Sequence, residues 1–296
     1  MTAPRQRTLA VVTRALDGRG LHGGKPSRVT LEPAAASTGL VFRREDLGGA
    51  PVIPARAANI VPSERCTSLS FNGVPVRVVE HALAACVLAG LDNAVLAVEG
   101  EELPAADGSA EPFLDMIMDA GLVEQDEERP VAGLREPVEL RGAATGGGLS
   151  WTVRAEPADR LACVFRFLGA GSLAGAEEAF VPGADDPRAL ARARTFCFER
   201  EIAGLLARGL GAGGDAGNVL VIRDDGSCVN PERVPHEPVL HKLLDLVGDL
   251  ALAGTAVAAR ITAEGTGHRA HAELLRILIP KLTSARPGGA LKTCLT

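Results

Sequence analysis

Short strand-like runs that give way to an apolar helical run, and then do so a second time, confine this chain to an α+β architecture. Residues 9–12, 28–31 and 39–42 are β-prone and separated by glycine and proline. VPVRVV at 74–79 alternates, then switches to the helical pattern EHALAACVLAG, with Gly90 placed to stop it. Residues 94–98 read as a strand. DGSAEPFLDMIMDAGL (107–122) reads as a loop feeding a helix, with Ser109 or Asp107 as cap and Gly121 as stop. The charge-dense EQDEERP (124–130) is the expected linker. Strands near 138–140, 150–154 and 161–167 follow, then a Gly/Ala-rich stretch. A helical pattern spans 187–210, a strand 219–223, a helix 237–252, a strand 256–262 and a helix 271–279. The expectation is two similar domains, 1–126 and 130–283, without an internal sequence repeat, and a loose tail at 284–296.

A length of 296 residues agrees with two domains at about 150 residues each. Hydrophobic residues make up 46%, enough for a sizeable core, but Tyr is absent and there are only one Trp and eight Phe. The core must therefore be Ala, Val and Leu, and no aromatic platform is available for stacking single-stranded bases. A net charge of −6 also argues against a basic footprint, so no nucleic-acid partner is expected. The longest uncharged apolar runs, 82–91 and 250–259, fall well short of the roughly 18 residues of a membrane helix. The apolar stretch near the N-terminus is short and broken by Arg14, unlike a signal peptide. Six cysteines are scattered without a CxxC, which fits reduced thiols in a cytoplasm. A monomer without a transmembrane segment is expected.

Two strings, 18–23 and 209–214, match GxGxxG. Neither follows a strand and opens a helix, as pyrophosphate binding requires, so both read as turns. Chemistry is better sought in three other places. Glu80-His81 sits at a strand-to-helix junction. His241, Asp245 and Asp249 fall at i, i+4 and i+8, on one helix face. Gly267-His268 precedes the last helix. The helix face has a plain reading, a solvated stripe opposite Leu243, Leu244, Val247 and Leu250. It has a sharper one, half of a zinc site that His81 would complete, with a position left for water. Glu80 beside that water would serve as general base, or else simply favour a helix N-terminus. His268 would serve as general acid, pulled one way by the helix dipole and the other by Asp249, or else lie on the surface. His22, His236 and His271 read as turn or surface residues.

Taken in order, GLHGG (20–24), GLVFR (39–43), CT (66–67), VEHAL (79–83), GLDN (90–93), DGSA (107–110), RARTF (192–196), HKLLDLVGD (241–249) and GH (267–268) resemble one family. It is the zinc-dependent UDP-3-O-acyl-N-acetylglucosamine deacetylases of lipid A biosynthesis, and the resemblance spans residues 8–279. It implies a β-α-α-β sandwich of two similar domains, helices packed between two outer sheets, with an acyl-passage insertion in the second. It implies Zn²⁺, with Fe²⁺ as the other candidate, on His81, His241 and Asp245. It implies Glu80 as base, His268 as electrostatic group or acid oriented by Asp249, and Thr195 at the oxyanion. Phe196 would lie against the sugar, Lys242 on polar substrate groups, and Cys66 and Leu21 near the site. The implied partner is a UDP-linked acylated amino sugar.

The sequence departs from the family pattern at Glu264-Gly265-Thr266, where Phe-Lys-Ser is usual, and at Arg269-Ala270-His271-Ala272, where Ala-Leu-Asn-Asn is usual. Glu199-Arg200-Glu201 replaces Met-Arg-Asp, and 167–171 lacks a His-Pro. Two alternatives therefore stand beside the deacetylase: a related zinc amidohydrolase for another acylated amino sugar, and a non-catalytic paralogue that binds the lipid precursor.

Overall fold

The computed structural model describes residues 4–143, 150–168, 173–286 and 289–292. It is α+β: the first half is built around a five-stranded sheet, and the second around an eight-stranded sheet, five strands of which repeat the plan of the first. In the first half the order is Leu16–Arg19, Pro26–Pro33, Ala94–Glu99, Leu40–Arg44, Val52–Pro54. Neighbours along that path pair antiparallel, antiparallel, parallel and antiparallel. In the second half, Val138–Ala143, Ser150–Pro157, Ala256–Glu264, Ala162–Arg166 and Glu177–Phe180 repeat the same succession. The repeat is one of topology, carried by alternating apolar positions that different residue sets satisfy equally well.

Six α-helices are described: α1 (Glu80–Ala89), α2 (Glu111–Ala120), α3 (Pro187–Ala191), α4 (Ile202–Ala207), α5 (Glu237–Leu250) and α6 (His268–Leu278). In each half a helix, α1 or α5, leads into the central strand, and a second, α2 or α6, leaves it. Gly90 ends α1 as expected, in a left-handed conformation. α1 and α5 pack against each other in the middle of the molecule and are buried on nearly every side. Such all-round burial marks a helix between layers rather than on a surface. Gly248 permits the closeness: a Cβ there would meet the Glu80 backbone carbonyl, with its carbon 3.0 Å away and Ala84 N at 3.2 Å.

The second half differs from expectation in several places. Residues 187–210 are not one helix: α3 stops at Ala191, Phe196–Phe198 is a strand parallel to Leu220–Ile222, and α4 follows a 3₁₀ turn. Local helix propensity there yields to the strand pairing. Much of the expected linker is strand, since Leu122–Glu128 pairs antiparallel with Arg5–Leu9. Part of the expected tail is strand as well: Thr283–Arg286 pairs with Val131–Gly133 and Gly289–Lys292. Residues 169–171 of the departing segment, and Cys294, lie outside the described residues. The two glycine-rich strings form turns that bind each other, Ala212 N–H donating to His22 O and Gly213 N–H to Leu21 O, both at 3.0 Å. No helix among the described residues is long and apolar enough to cross a membrane.

Candidate active site

α1, α5 and α6 deliver the chemistry-bearing side chains. The turn into α1 puts the β-branched Val78 at φ +58°, a conformation that costs energy for such a residue and is held by its burial. That turn aims Glu80 and His81 at α5. The stripe on α5 is not solvated: His241 is 3% exposed, Asp245 2% and Asp249 2%. Burial at that level removes the plain reading, because unpartnered charges are not carried into a core.

His81, His241 and Asp245 each offer a donor atom, all within 4.8 Å of one another. His241 Nε2 lies 3.4 Å and His81 Nε2 3.8 Å from Asp245 Oδ1. The two rings meet edge to face, 5.0 Å between centroids. His241 Nδ1 is 3.0 Å from the Ala193 carbonyl, which can only accept, so Nδ1 carries the hydrogen and Nε2 turns its lone pair to the cluster. Burial drives the His81 imidazole down to about 3 and lowers His241 too, so both stay neutral. Burial opposes ionisation of Asp245, but the positive charges of Lys242 and His268 outweigh it and hold the carboxyl below its usual range. Lys242 Nζ donates to Asp245 Oδ2 at 2.7 Å, while Asp245 Oδ1 is buried without any hydrogen-bond partner. An orphaned carboxylate oxygen facing two imidazole lone pairs is unstable as a bare arrangement and fits a divalent cation of the zinc type.

Beside this cluster stand a carboxyl and an imidazole with opposite shifts. Burial, aided by Asp245, pushes Glu80 up to about 7, against the pull of His268. Its Oε2 accepts from Thr67 N at 3.0 Å, and its Oε1 is 3.8 Å from His268 Nε2. Burial lowers His268, but Asp249, Asp245 and Glu80 together raise it to about 9. Asp249 does most of this: His268 Nδ1 is 2.9 Å from its Oδ2, leaving Nε2 toward Glu80 and Asp245. Asp249 is fixed in turn by Thr67 Oγ1 at 2.5 Å and by His271 Nδ1 at 2.7 Å. His271 Nε2 is 3.0 Å from Thr266 Oγ1, so both its ring nitrogens are engaged. Asp249, His268 and His271 also lie close enough to hold a metal, but their hydrogen bonds with one another and with Thr67 account for the atoms.

A metal-type donor triad beside a carboxyl and an imidazole with opposite shifts is an arrangement that suits hydrolysis, and known proteins resemble this chain over its length. The profile of the UDP-3-O-acyl N-acetylglycosamine deacetylase family matches residues 6–280. A UDP-3-O-acyl-N-acetylglucosamine deacetylase from Thermosynechococcus vestitus is 40% identical over 279 residues, 94% of this chain and 95% of its own. One from an Anaeromyxobacter species is 40% identical, covering 93% and 89%. One from Chlamydia muridarum is 38% identical, covering 87% and 89%. The chain belongs to this deacetylase family. The family is one of metalloenzymes, and His/Asp groups able to bind a metal are present here.

A pocket of about 1000 Å³ opens on the cluster. Of the family-implied residues, Leu21, Thr195, Phe196 and Lys242 line it together with Glu80, His81, His241, Asp245 and His268. Phe196 packs edge-on to His241, 6.1 Å between centroids, and against Phe167 and Phe198. Lys242 is turned to Asp245, so its charge already serves the cluster. Cys66 lies behind Glu80 rather than in the wall: burial pushes its thiol up to about 11, and Sγ is 3.6 Å from Ser68 Oγ.

Sequence reasoning passed over three groups. Thr67, quoted only as part of CT, ties Glu80, Asp249 and His268 together. His271, read as a surface residue, is 1% exposed and anchors Asp249. His22, read as a turn or surface residue, does lie in a turn, but it is 5% exposed in the pocket wall with neither ring nitrogen paired. His236 is exposed as expected, against Glu178. Only a spacing rule from Asp249 across to α6 would have singled out His271, and the sequence has none.

Proposed function

We propose that this chain hydrolyses the N-acetyl group of UDP-3-O-acyl-N-acetylglucosamine, giving acetate and the UDP-linked 3-O-acyl-glucosamine, as a step of lipid A biosynthesis. The observation that carries this is the orphaned Asp245 Oδ1 between two neutral imidazoles, with Glu80 and His268 against it. His81, His241 and Asp245 would hold Zn²⁺, or Fe²⁺ on the same donors, and either ion supplies polarisation of the amide carbonyl and acidification of water.

The chain's own groups do the rest. Glu80, near neutrality and steadied by Thr67 N–H, takes a proton from the attacking water as its oxygen bonds to the acetyl carbon. The Thr195 hydroxyl faces the pocket and donates to the oxyanion that forms. His268, kept protonated by Asp249, gives its Nε2 proton to the amine nitrogen as the carbon–nitrogen bond breaks. Phe196 supplies a flat face for the sugar, Leu21 borders it, and Lys242 meets polar substrate groups at the mouth. The acyl chain lies along Ile202, Leu205, Leu206 and Val221, which form an apolar wall at one end of the pocket. Cys66 contributes by packing behind Glu80. The reaction takes place in the cytoplasm, on a monomer.

Acetate release from UDP-3-O-acyl-N-acetylglucosamine of several chain lengths, run beside metal analysis, tests the proposal. Stoichiometric zinc or iron with chelator-sensitive release is expected. Absence of release across the panel from metal-loaded protein overturns it.

A further inference from the structure

α1 and α5 begin at the catalytic pocket, and their other ends border a second cleft. Residues 87–93, together with Val247, Leu250, Ala251 and Gly254, line it, and it measures about 520 Å³. It lies between the halves and shares no lining residue with the catalytic pocket. Its charged groups are unequal: Arg7, Arg56, Arg129 and Arg160 against Asp92 and Asp159.

Asp92 is already committed. Asp92 Oδ1 accepts from Arg129 Nε at 2.7 Å, and Oδ2 from Arg7 N at 2.9 Å. Arg7 also donates through Nη2 to Ala89 O at the end of α1, at 3.1 Å. Arg56 is different. Its side chain is half-buried and makes no hydrogen bond or ion pair with any described residue. The guanidinium is wedged between Gly39 of the first half and Gly254 of the second. A Cβ at Gly39 would come within 3.0 Å of Nη2, and one at Gly254 would collide with Nη1. Both glycines sit at positive φ, the guanidinium fills the space their missing side chains leave, and its five N–H donors have no acceptor among the described residues. Arg160 stands exposed at the rim.

The rest of the cleft is apolar. Leu88, Leu91 and Leu250 are buried in its floor, with Leu161 and Val257 beside them. A planar guanidinium above an aliphatic floor matches an oxyanion carried on a small apolar body. We propose that this cleft is a binding site for a small amphipathic oxyanion, a carboxylate or a phosphate monoester. Its charged end pairs with Arg56, with Arg160 at the rim, and its apolar part rests on Leu161 and Leu250. The site is separate from substrate binding and joins the two halves through the ligand.

The test is calorimetric titration of the metal-loaded protein with phenyl phosphate and, separately, with benzoate. Saturable binding of at least one is expected, weakened about tenfold or more by Arg56→Gln, which removes the charge-assisted pair. The tighter probe identifies the headgroup class. Arg160→Glu on the rim lowers affinity severalfold without touching the core, and Leu161→Trp blocks the floor, so the proposal remains testable if Arg56→Gln misfolds. Lys242→Ala, in the catalytic pocket, leaves binding unchanged. Acetate release by Arg56→Gln without probe stays close to wild type. Absence of saturable binding overturns the proposal. So does equal affinity in wild type and all three cleft variants, or binding that Lys242→Ala abolishes and the cleft variants keep.

Discussion

Gly248→Ala separates two opposed forces in the middle of α5. By helix propensity alone, replacing an interior glycine with alanine stabilises a helix by about 1 kcal/mol. Packing says the reverse. The added methyl would meet Glu80 C at 3.0 Å and Ala84 N at 3.2 Å, with the Glu80 carbonyl oxygen closer still. These are backbone atoms of α1, so no side chain can swing aside. Ordinary contact requires the helices to part by on the order of 1 Å, and overpacking of this kind costs about 1–3 kcal/mol. The two effects leave a net loss of up to about 2 kcal/mol. Activity is hit harder, because α1 carries Glu80 and His81 while α5 carries His241 and Asp245. A displacement of about 1 Å between reacting groups costs roughly a hundredfold in rate. The assay is kcat/KM for acetate release together with metal affinity and melting temperature. A Gly248→Ala protein that melts higher and turns over at the wild-type rate would refute the close-packing argument.

Other perturbations follow from the same geometry. Asp245→Asn keeps the shape but loses the charge, and metal content after dialysis should fall with activity; retention of full metal counts against the ligand set. His271→Phe frees Asp249 from a 2.7 Å partner and should lower kcat about tenfold with little change in KM, an interaction felt mainly in the transition state. The pH–rate profile should rise as Glu80 loses its proton and fall as His268 loses its own. A bound dication moves both limbs to the acid side of about 7 and about 9, and His268→Gln should erase the alkaline limb. Glu237 is fully buried; burial works to raise its carboxyl, but Arg194 and the backbone N–H groups of Arg194 and Arg233 outweigh that and lower it. Its stabilisation is therefore complete above the unfolded carboxylate's pKa and fades as pH drops through the folded value. Glu237→Gln should cost about 3 kcal/mol at neutral pH and flatten acid unfolding, read by denaturant titration across pH.

The helices that carry the candidate site were legible because their signals are local. The i, i+4, i+8 spacing of His241, Asp245 and Asp249 needs only the helix repeat, and the strand-to-helix switch before Glu80 needs only periodicity. Whether that stripe faced water or core was not local: it depends on α1 lying against α5, which rests on Gly248. Thr67 and His271 were illegible for the same reason, since a hydroxyl and an imidazole become anchors only when distant elements meet at Asp249. The run 187–210 misled because its alanines and leucines satisfy helix periodicity, while the pairing of Phe196–Phe198 with Leu220–Ile222 is set by tertiary structure. The repeated five-strand plan left no trace in residue identity, because pleated alternation accepts many apolar sequences.

His81 comes from the first half of the molecule, and His241 and Asp245 come from the second. An ion on those three atoms is a rivet through both plates. Prying the plates apart and stripping the ion are then one event seen from two sides, so a chelator should act on this chain as a wedge as much as an inhibitor.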